Sequence, residues 1–179
     1  MGTGEWFEES MKPTMDFTFE RPHLRFAEDI ARHANNPNVG RFLSPDFPSP
    51  YTVKDAEEFL GRHERDTDEF HRVIVVGKEA VGCIGIVCSM ESGELEAEIG
   101  LWIGEEFWGR GIGTKAVVEM TRTFREHFSN IPLKAWIVKE NTVSRRVFQS
   151  AGFVETENLT ERWNEKIMEM VKLKLQIEC

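Results

Sequence analysis

The sequence predicts a single mixed α/β domain: one sheet of about seven strands, mostly antiparallel, flanked by helices. Three observations lead there. Short alternating stretches interleave with longer stretches of helical period. Glycine, proline or polar turn residues separate them. No repeat, low-complexity tract or linker divides the 179 residues, a length that buries a core without disulfides or a structural metal. Residues 1–16 read as an N-terminal extension and 17–179 as the domain.

Phe17-Thr18-Phe19-Glu20-Arg21 alternates and stops at Pro22, a first strand. Between His23 and Asn35, Leu24, Ala27, Ile30, Ala31 and Ala34 fall at helical spacing. Asn36 to Pro50 is rich in proline but also holds Val39, Phe42, Leu43 and Phe47, so it reads as a packed loop. Thr52 with Asp55 resembles a capping box, opening a helix whose buried stripe is Val53, Ala56, Phe59 and Leu60. After a charged connection at Glu64 to Glu69 come strands at Arg72–Val76, Ala80–Ser89 and Leu95–Ile103, turning at Gly77 and at Ser92-Gly93. A long helix spans Gly113 to Phe128, with Ala116, Val117, Met120, Phe124 and Phe128 inward. Leu133–Val138 is a strand, and Thr142–Ala151 a helix capped by Gly152. Phe153 to Thr156 opens a strand, and Val171, Leu173, Leu175 and Ile177 alternate along the last one. The predicted order is βααβββαβαββ.

Composition excludes several classes. No apolar run approaches the roughly 20 residues that span a bilayer, and Met1 to Met11 lacks the pattern of a signal peptide. The cytoplasm is therefore the expected location, with no membrane partner. A net charge of −9 opposes tracking of phosphates, so nucleic acid is not an expected partner. The same charge could concentrate a cationic acceptor, although solubility alone would also explain it. Cys83, Cys88 and Cys179 match no zinc spacing, and the first two read as small core residues. The five histidines show no metal spacing, Asp66-Thr67-Asp68 lacks the glycine of a calcium loop, and Ser10, Ser44 and Ser49 have no nucleophile-elbow context.

The chemistry concentrates between Glu98 and Gly152. Strand residues Ala97 to Ile103 run through Phe107-Trp108-Gly109-Arg110-Gly111-Ile112-Gly113-Thr114 into a helix. Glycines at alternate positions leave backbone N–H groups uncovered where the helix dipole favours an anion. A P-loop would need Gly-Lys-Ser/Thr, but here Thr114 precedes Lys115; a dinucleotide fingerprint would need glycine at 114.

The stretch Glu98-Ile99-Gly100 through Gly113, followed by Asn141-Thr142-Val143-Ser144 and Ala151-Gly152-Phe153, resembles the GNAT superfamily of N-acetyltransferases. Within it, Trp108-Gly109-Arg110-Gly111 and Phe47-Pro48-Ser49-Pro50-Tyr51-Thr52 resemble the RimJ/RimL-like branch, which acetylates ribosomal-protein N-termini. The resemblance covers about Phe17 to Leu175. It implies a sheet splayed in the middle and acetyl-coenzyme A as co-substrate. The pyrophosphate would lie on Trp108, Gly109, Arg110, Gly111, Ile112, Gly113 and Thr114, with the pantetheine arm pairing beside Leu101, Trp102 and Ile103 and touching Asn141. The implied partner is an amine, whether a protein N-terminal α-amine, a polyamine or another small amine; a homodimer is compatible with it.

The implied reaction is direct attack by the amine on the thioester. An α-amine titrates near pH 8 and a lysine amine near about 10.4, so a base must remove a proton. Glu98 stands at the position of the family's strand glutamate, and Glu96, two residues away on the same face, is its rival. Many relatives protonate the thiolate with a tyrosine four residues before the glycine of Gly-Phe; here that residue is Phe148. Ser144, at a position assigned this work in the resembled branch, is the substitute, unless it merely satisfies a backbone group in its helix. A backbone N–H near Ile99 would meet charge developing on the carbonyl oxygen. The alternative to an enzyme is a coenzyme-A-binding sensor without turnover, which Phe148 favours and Glu98 and Ser144 oppose. Trp6, Trp136 and Trp163 read as packing residues, whereas Phe42, Phe47 and Tyr51 are better placed to overlie an acceptor.

Overall fold

The computed structural model describes residues 14–65, 70–91 and 93–176. Trp6, Ser10, Asp66-Thr67-Asp68, Ser92, Ile177 and Cys179 lie outside these residues, as does most of the N-terminal extension. Seven strands form one sheet: β1 (Thr18–Glu20), β2 (His71–Val76), β3 (Glu79–Glu91), β4 (Glu94–Ile103), β5 (Leu133–Val138), β6 (Phe153–Trp163) and β7 (Lys166–Leu175). Their order is β1-β2-β3-β4-β5-β7-β6. Among the described residues, every pairing is antiparallel except β4 with β5.

Helices α1 (Ala27–Ala34), α2 (Pro37–Gly40), α3 (Val53–Arg65), α4 (Ile112–His127) and α5 (Thr142–Ser150) complete the domain. The core has two parts. Ala116, Val117, Met120 and Phe124 of α4 pack with Ile84, Ile86, Ile99, Ala135, Ile137 and Phe148. Ile30 and Ala31 of α1 and Ala56 and Leu60 of α3 pack with Val73, Val75 and Ala80. No helix among the described residues is long and apolar enough to cross a membrane.

Local chemistry accounts for the element ends. The Thr52 N–H donates to Asp55 Oδ2 at 2.8 Å, and the Asp55 N–H donates to Thr52 Oγ1 at 3.3 Å, the reciprocal pattern of a capping box with aspartate in the acidic role. Gly152 follows α5 at φ 91°, a left-handed position that costs glycine nothing. The predicted helix from His23 starts as a 3-10 turn, Leu24–Phe26, and the packed loop contains the one-turn α2, whose N–H at Asn38 is capped by the Asn36 side chain.

Several expectations need correction. Val53 is exposed rather than part of the buried stripe, because α3 meets apolar partners only one turn further in, at Ala56. Phe128 is partly exposed at the end of α4, although its ring lies 5.3 Å from that of Phe124. Cys83 is buried, and desolvation pushes its thiol well above the ordinary cysteine range. Cys88 is exposed, because β3 from Val87 onward runs past the core. The strand opening at Phe153 extends to Trp163, forming with β7 a hairpin whose outer part is mostly exposed.

Candidate functional site

The site begins at a gap in the sheet. Strands β4 and β5 are in register only at Ala97↔Leu133 and Glu98↔Lys134. Beyond Glu98, β4 continues beside β3 as far as Ile103, while β5 continues beside β7. The Ala97 N–H donates to the Pro132 carbonyl at 2.9 Å, on the β5 side, and the Gly104 N–H donates to Val81, on the β3 side. Antiparallel pairing alternates direction at each residue. The odd residues of β4 therefore face away from β3: the Glu98↔Lys134 pairing takes up the Ile99 N–H, and beyond it the Ile99 carbonyl and the backbone groups of Leu101 and Ile103 point into the gap, while those of Trp102 point toward Cys83.

A cleft of about 1180 Å³ opens over this gap. Glu98, Ile99, Gly100, Leu101 and Trp102 form its floor, Asn141, Ser144 and Phe148 of α5 one wall, and Phe42, Phe47, Tyr51 and Phe59 another. Phe47 and Tyr51 stack with ring centroids 4.8 Å apart, and burial raises the Tyr51 phenol to about 12. Leu159, Glu161, Trp163 and Met170 of the β6–β7 hairpin close the cleft from the far side. The sequence reading missed this contribution, although Leu159, Glu161 and Trp163 fall at the period-2 spacing of one strand face.

The two glutamates stand in opposite electrostatic settings. Glu96 lies 2.9 Å from the ammonium of Lys134 and 3.9 Å from that of Lys172. Its bond to Lys134 holds its carboxyl below the usual range. Glu98 opens onto the cleft and makes no hydrogen bond or ion pair of its own among the described residues. Although its side chain is exposed in the open cleft, crowding by the cleft walls, which outweighs the attraction of Lys134, raises its carboxyl above the usual range; Glu91 and Glu161 push the same way and Lys172 the other.

On α5, Asn141 is the N-cap: its Oδ1 accepts from the Ser144 N–H at 3.1 Å. The Ser144 hydroxyl makes no hydrogen bond among the described residues, so it is not engaged with a backbone group, and Ser144 lines the cleft. Phe148, one turn on, is buried with its ring edge-on to Phe153 at 5.2 Å.

The glycine-rich turn lies at the other end of the gap. Gly109 and Gly111 have φ of 73° and 75°, and Gly111 is the N-cap of α4, with no side-chain cap bond among the described residues and Thr14 packed close beside it. The Trp108 indole N–H donates to the Ile103 carbonyl at 2.6 Å, tying the turn to the end of β4. Met15 N–H donates to the Arg110 carbonyl at 3.2 Å, and Ile112 is buried, so their roles there include holding the turn. Gly113 packs against Val147 of α5, where a Cβ would sit 3.4 Å from its methyl. Thr114 is half-buried in the first turn.

The sequence pattern of the acetyltransferase (GNAT) domain family matches residues 16–154. The chain belongs to the GNAT acetyltransferases. No curated protein matches it in sequence. Among solved structures, a GNAT-family acetyltransferase from Bacillus anthracis superposes with a TM-score of 0.76 at 15% identity, covering 92% of this chain and 96% of that one. The microcin C7 self-immunity acetyltransferase MccE, solved with acetyl-CoA and AMP, gives 0.75 at 18% identity over 94% and 99%. Spermidine N-acetyltransferase from Vibrio cholerae, solved with CoA and spermine, gives 0.70 at 20% identity over 89% and 94%. These likenesses bear out the fold expected from sequence, and the two-residue contact of β4 with β5 is the splay. As a GNAT acetyltransferase, the protein is an enzyme that takes acetyl-CoA as its co-substrate.

Proposed function

We propose that this acetyltransferase acts on a cationic amine, by direct attack on the thioester with Glu98 as base and Ser144 as proton donor. One observation carries the reading: Glu98, unpaired, and Ser144, with an unengaged hydroxyl, line the same cleft at the free edge of β4. A carboxylate raised above the ordinary range is a better base than Glu96, which Lys134 holds. The Leu101 N–H, the first on β4 to point into the gap beyond the β5 pairing, suits charge developing on the carbonyl oxygen. Ser144 replaces the hydroxyl that Phe148 lacks.

The helix start at Gly111, whose N–H groups take no side-chain cap among the described residues, with Gly109, Arg110 and Thr114 around it, suits the pyrophosphate. Leu101 and the Ile103 N–H offer backbone groups to the pantetheine arm, the Ile103 carbonyl being engaged by the Trp108 indole; Trp102 can contribute only its side chain. Asn141 stands beside that path while capping α5. For the acceptor, Asp46, Asp55, Glu58, Glu98 and Glu161 line the cleft against Arg62 and His71, a balance that favours a positively charged amine. Protein N-terminal α-amines, the substrates of the RimJ/RimL-like branch, and polyamines, such as the spermine bound in the Vibrio cholerae structure, both fit that description.

Thiol release from acetyl-CoA, measured across N-terminal peptides, polyamines and aminoglycosides, tests the proposal. Turnover confined to cationic amines is expected. Tight acetyl-CoA binding without thiol release for any amine would overturn it and favour a non-catalytic acyl-CoA sensor.

A further inference from the structure

We propose that Lys134 is a positioning residue for acetyl transfer: it draws Glu96 and Glu91 into its own ion pairs and so leaves Glu98 as the uncommitted carboxylate at the splay. The inference rests on the reading of Glu98 as base.

Lys134 is 1% exposed, a charge that burial makes costly unless it is paired. Its ammonium contacts Glu96 of β4 and Glu91 of β3, so the two pairs tie β5 to both neighbouring strands from the last residue at which β4 and β5 are in register. Lys172 of β7, almost as buried, lies 3.9 Å from both Glu96 and Glu157, with its ammonium over the Trp136 ring at 5.2 Å. Two lysines thus occupy three carboxylates on the face that Glu98 shares. Glu98 is directly opposite Lys134 in the parallel register, within reach of its field but outside its ion pairs. Lys134 on β5, Glu91 on β3, Glu161 on β6 and Lys172 on β7 bear on Glu98, and Glu96 shares its face two residues back on β4.

This arrangement does two things for a base. It prevents Glu98 from being neutralised by a salt bridge that a substrate ammonium would have to break. It also favours the ionised form of the Glu98 carboxylate, the form that accepts a proton from the amine. The sequence alone does not reveal this, because Lys134 lies on a strand whose partner is far away in the chain.

The test is the pH profile of kcat/KM for acetyl transfer in Lys134→Met, Lys134→Arg, Glu96→Gln and Glu98→Gln. Loss of the buried cation should move the acidic limb up by about one pH unit, while Glu96→Gln, which removes a neighbouring negative charge, should move it down. Lys134→Arg should restore much of the wild-type profile, and KM for acetyl-CoA should stay unchanged throughout. An acidic limb that stays in place in Lys134→Met and Glu96→Gln overturns the proposal. If Lys134→Met does not fold, Glu96→Gln decides: a downward shift supports the role of Lys134 and an unmoved limb overturns it. An acidic limb that survives Glu98→Gln overturns the reading of Glu98 as base, and this inference with it. A limb abolished by Glu98→Gln but insensitive to Lys134 and Glu96 overturns this inference alone.

Discussion

The indole N–H of Trp108 and the carbonyl of Ile103 are joined at 2.6 Å, so the last residue of β4 and the glycine-rich turn are held as one unit. Trp108→Phe keeps the ring but removes the donor. A neutral hydrogen bond contributes about 1 kcal/mol, so acetyl-CoA affinity measured by calorimetry should fall roughly fivefold. The melting temperature should drop only slightly.

Gly111→Val should be more damaging. A Cβ there would sit 3.2 Å from Thr14 Cγ2, and φ of 75° is strained for a branched residue. Acetyl-CoA affinity should fall at least tenfold, with a stability loss of about 1–2 kcal/mol. Gly100→Ala is the contrasting change: a Cβ there meets nothing within 4 Å, so the protein should melt normally while KM rises as the cleft floor narrows. Unchanged affinity in Gly111→Val would contradict the placement of the pyrophosphate.

Glu98→Gln should lower turnover at neutral pH far more than it changes acetyl-CoA binding. It should also raise the melting temperature near pH 7. A carboxyl raised in the folded state favours folding only when protonated; that contribution is complete below the unfolded value, about 4.3, and is lost as pH rises through the folded value. The advantage of Gln should therefore vanish at low pH. Glu96→Gln should do the opposite. The lowered carboxyl of Glu96 stabilises the fold above the unfolded value, and that stability is lost as pH falls through the folded one, so the variant should melt lower at pH 7 and converge with wild type in acid. Thermal melts at pH 4 and pH 7 distinguish the two residues.

Ser144→Ala should reduce kcat and kcat/KM together by about ten- to hundredfold, the loss expected for a hydrogen bond to developing charge. Because the hydroxyl has no bonding partner among the described residues, the melting temperature should hardly move. A clear drop in stability with normal turnover would instead assign Ser144 to the helix.

Features set by neighbours in sequence were legible before the structure. The capping box at Thr52 and Asp55, the glycine at 152 and the inner face of α4 depend on spacings of a few residues. The catalytic and phosphate-binding candidates were legible because the glycine turn and its flanking strand are contiguous. What sequence left open depends on pairings distant in the chain. Glu96 and Glu98 differ because of Lys134, a residue on another strand. Cys88 and Val53 were assigned to the core on local apolarity, and only the extent of the facing layer shows that they lie beyond it. The long reach of β6 was missed because charged residues dominate Glu155 to Arg162, and their strand state comes from pairing with β7.

The short parallel contact between β4 and β5 has a thermodynamic meaning as well. With only two residue pairs in register, the sheet is two ladders sharing a seam, joined elsewhere through α4 and α5. A molecule laid along the open edge of β4 acts as a splint across that seam, so part of its affinity becomes cohesion of the protein itself. At a concentration a hundredfold above Kd, that linkage amounts to about 2.7 kcal/mol. Amide protons of Leu101 and Ile103 would register it as slower exchange, making the central strand a gauge of how much acetyl-CoA surrounds the enzyme.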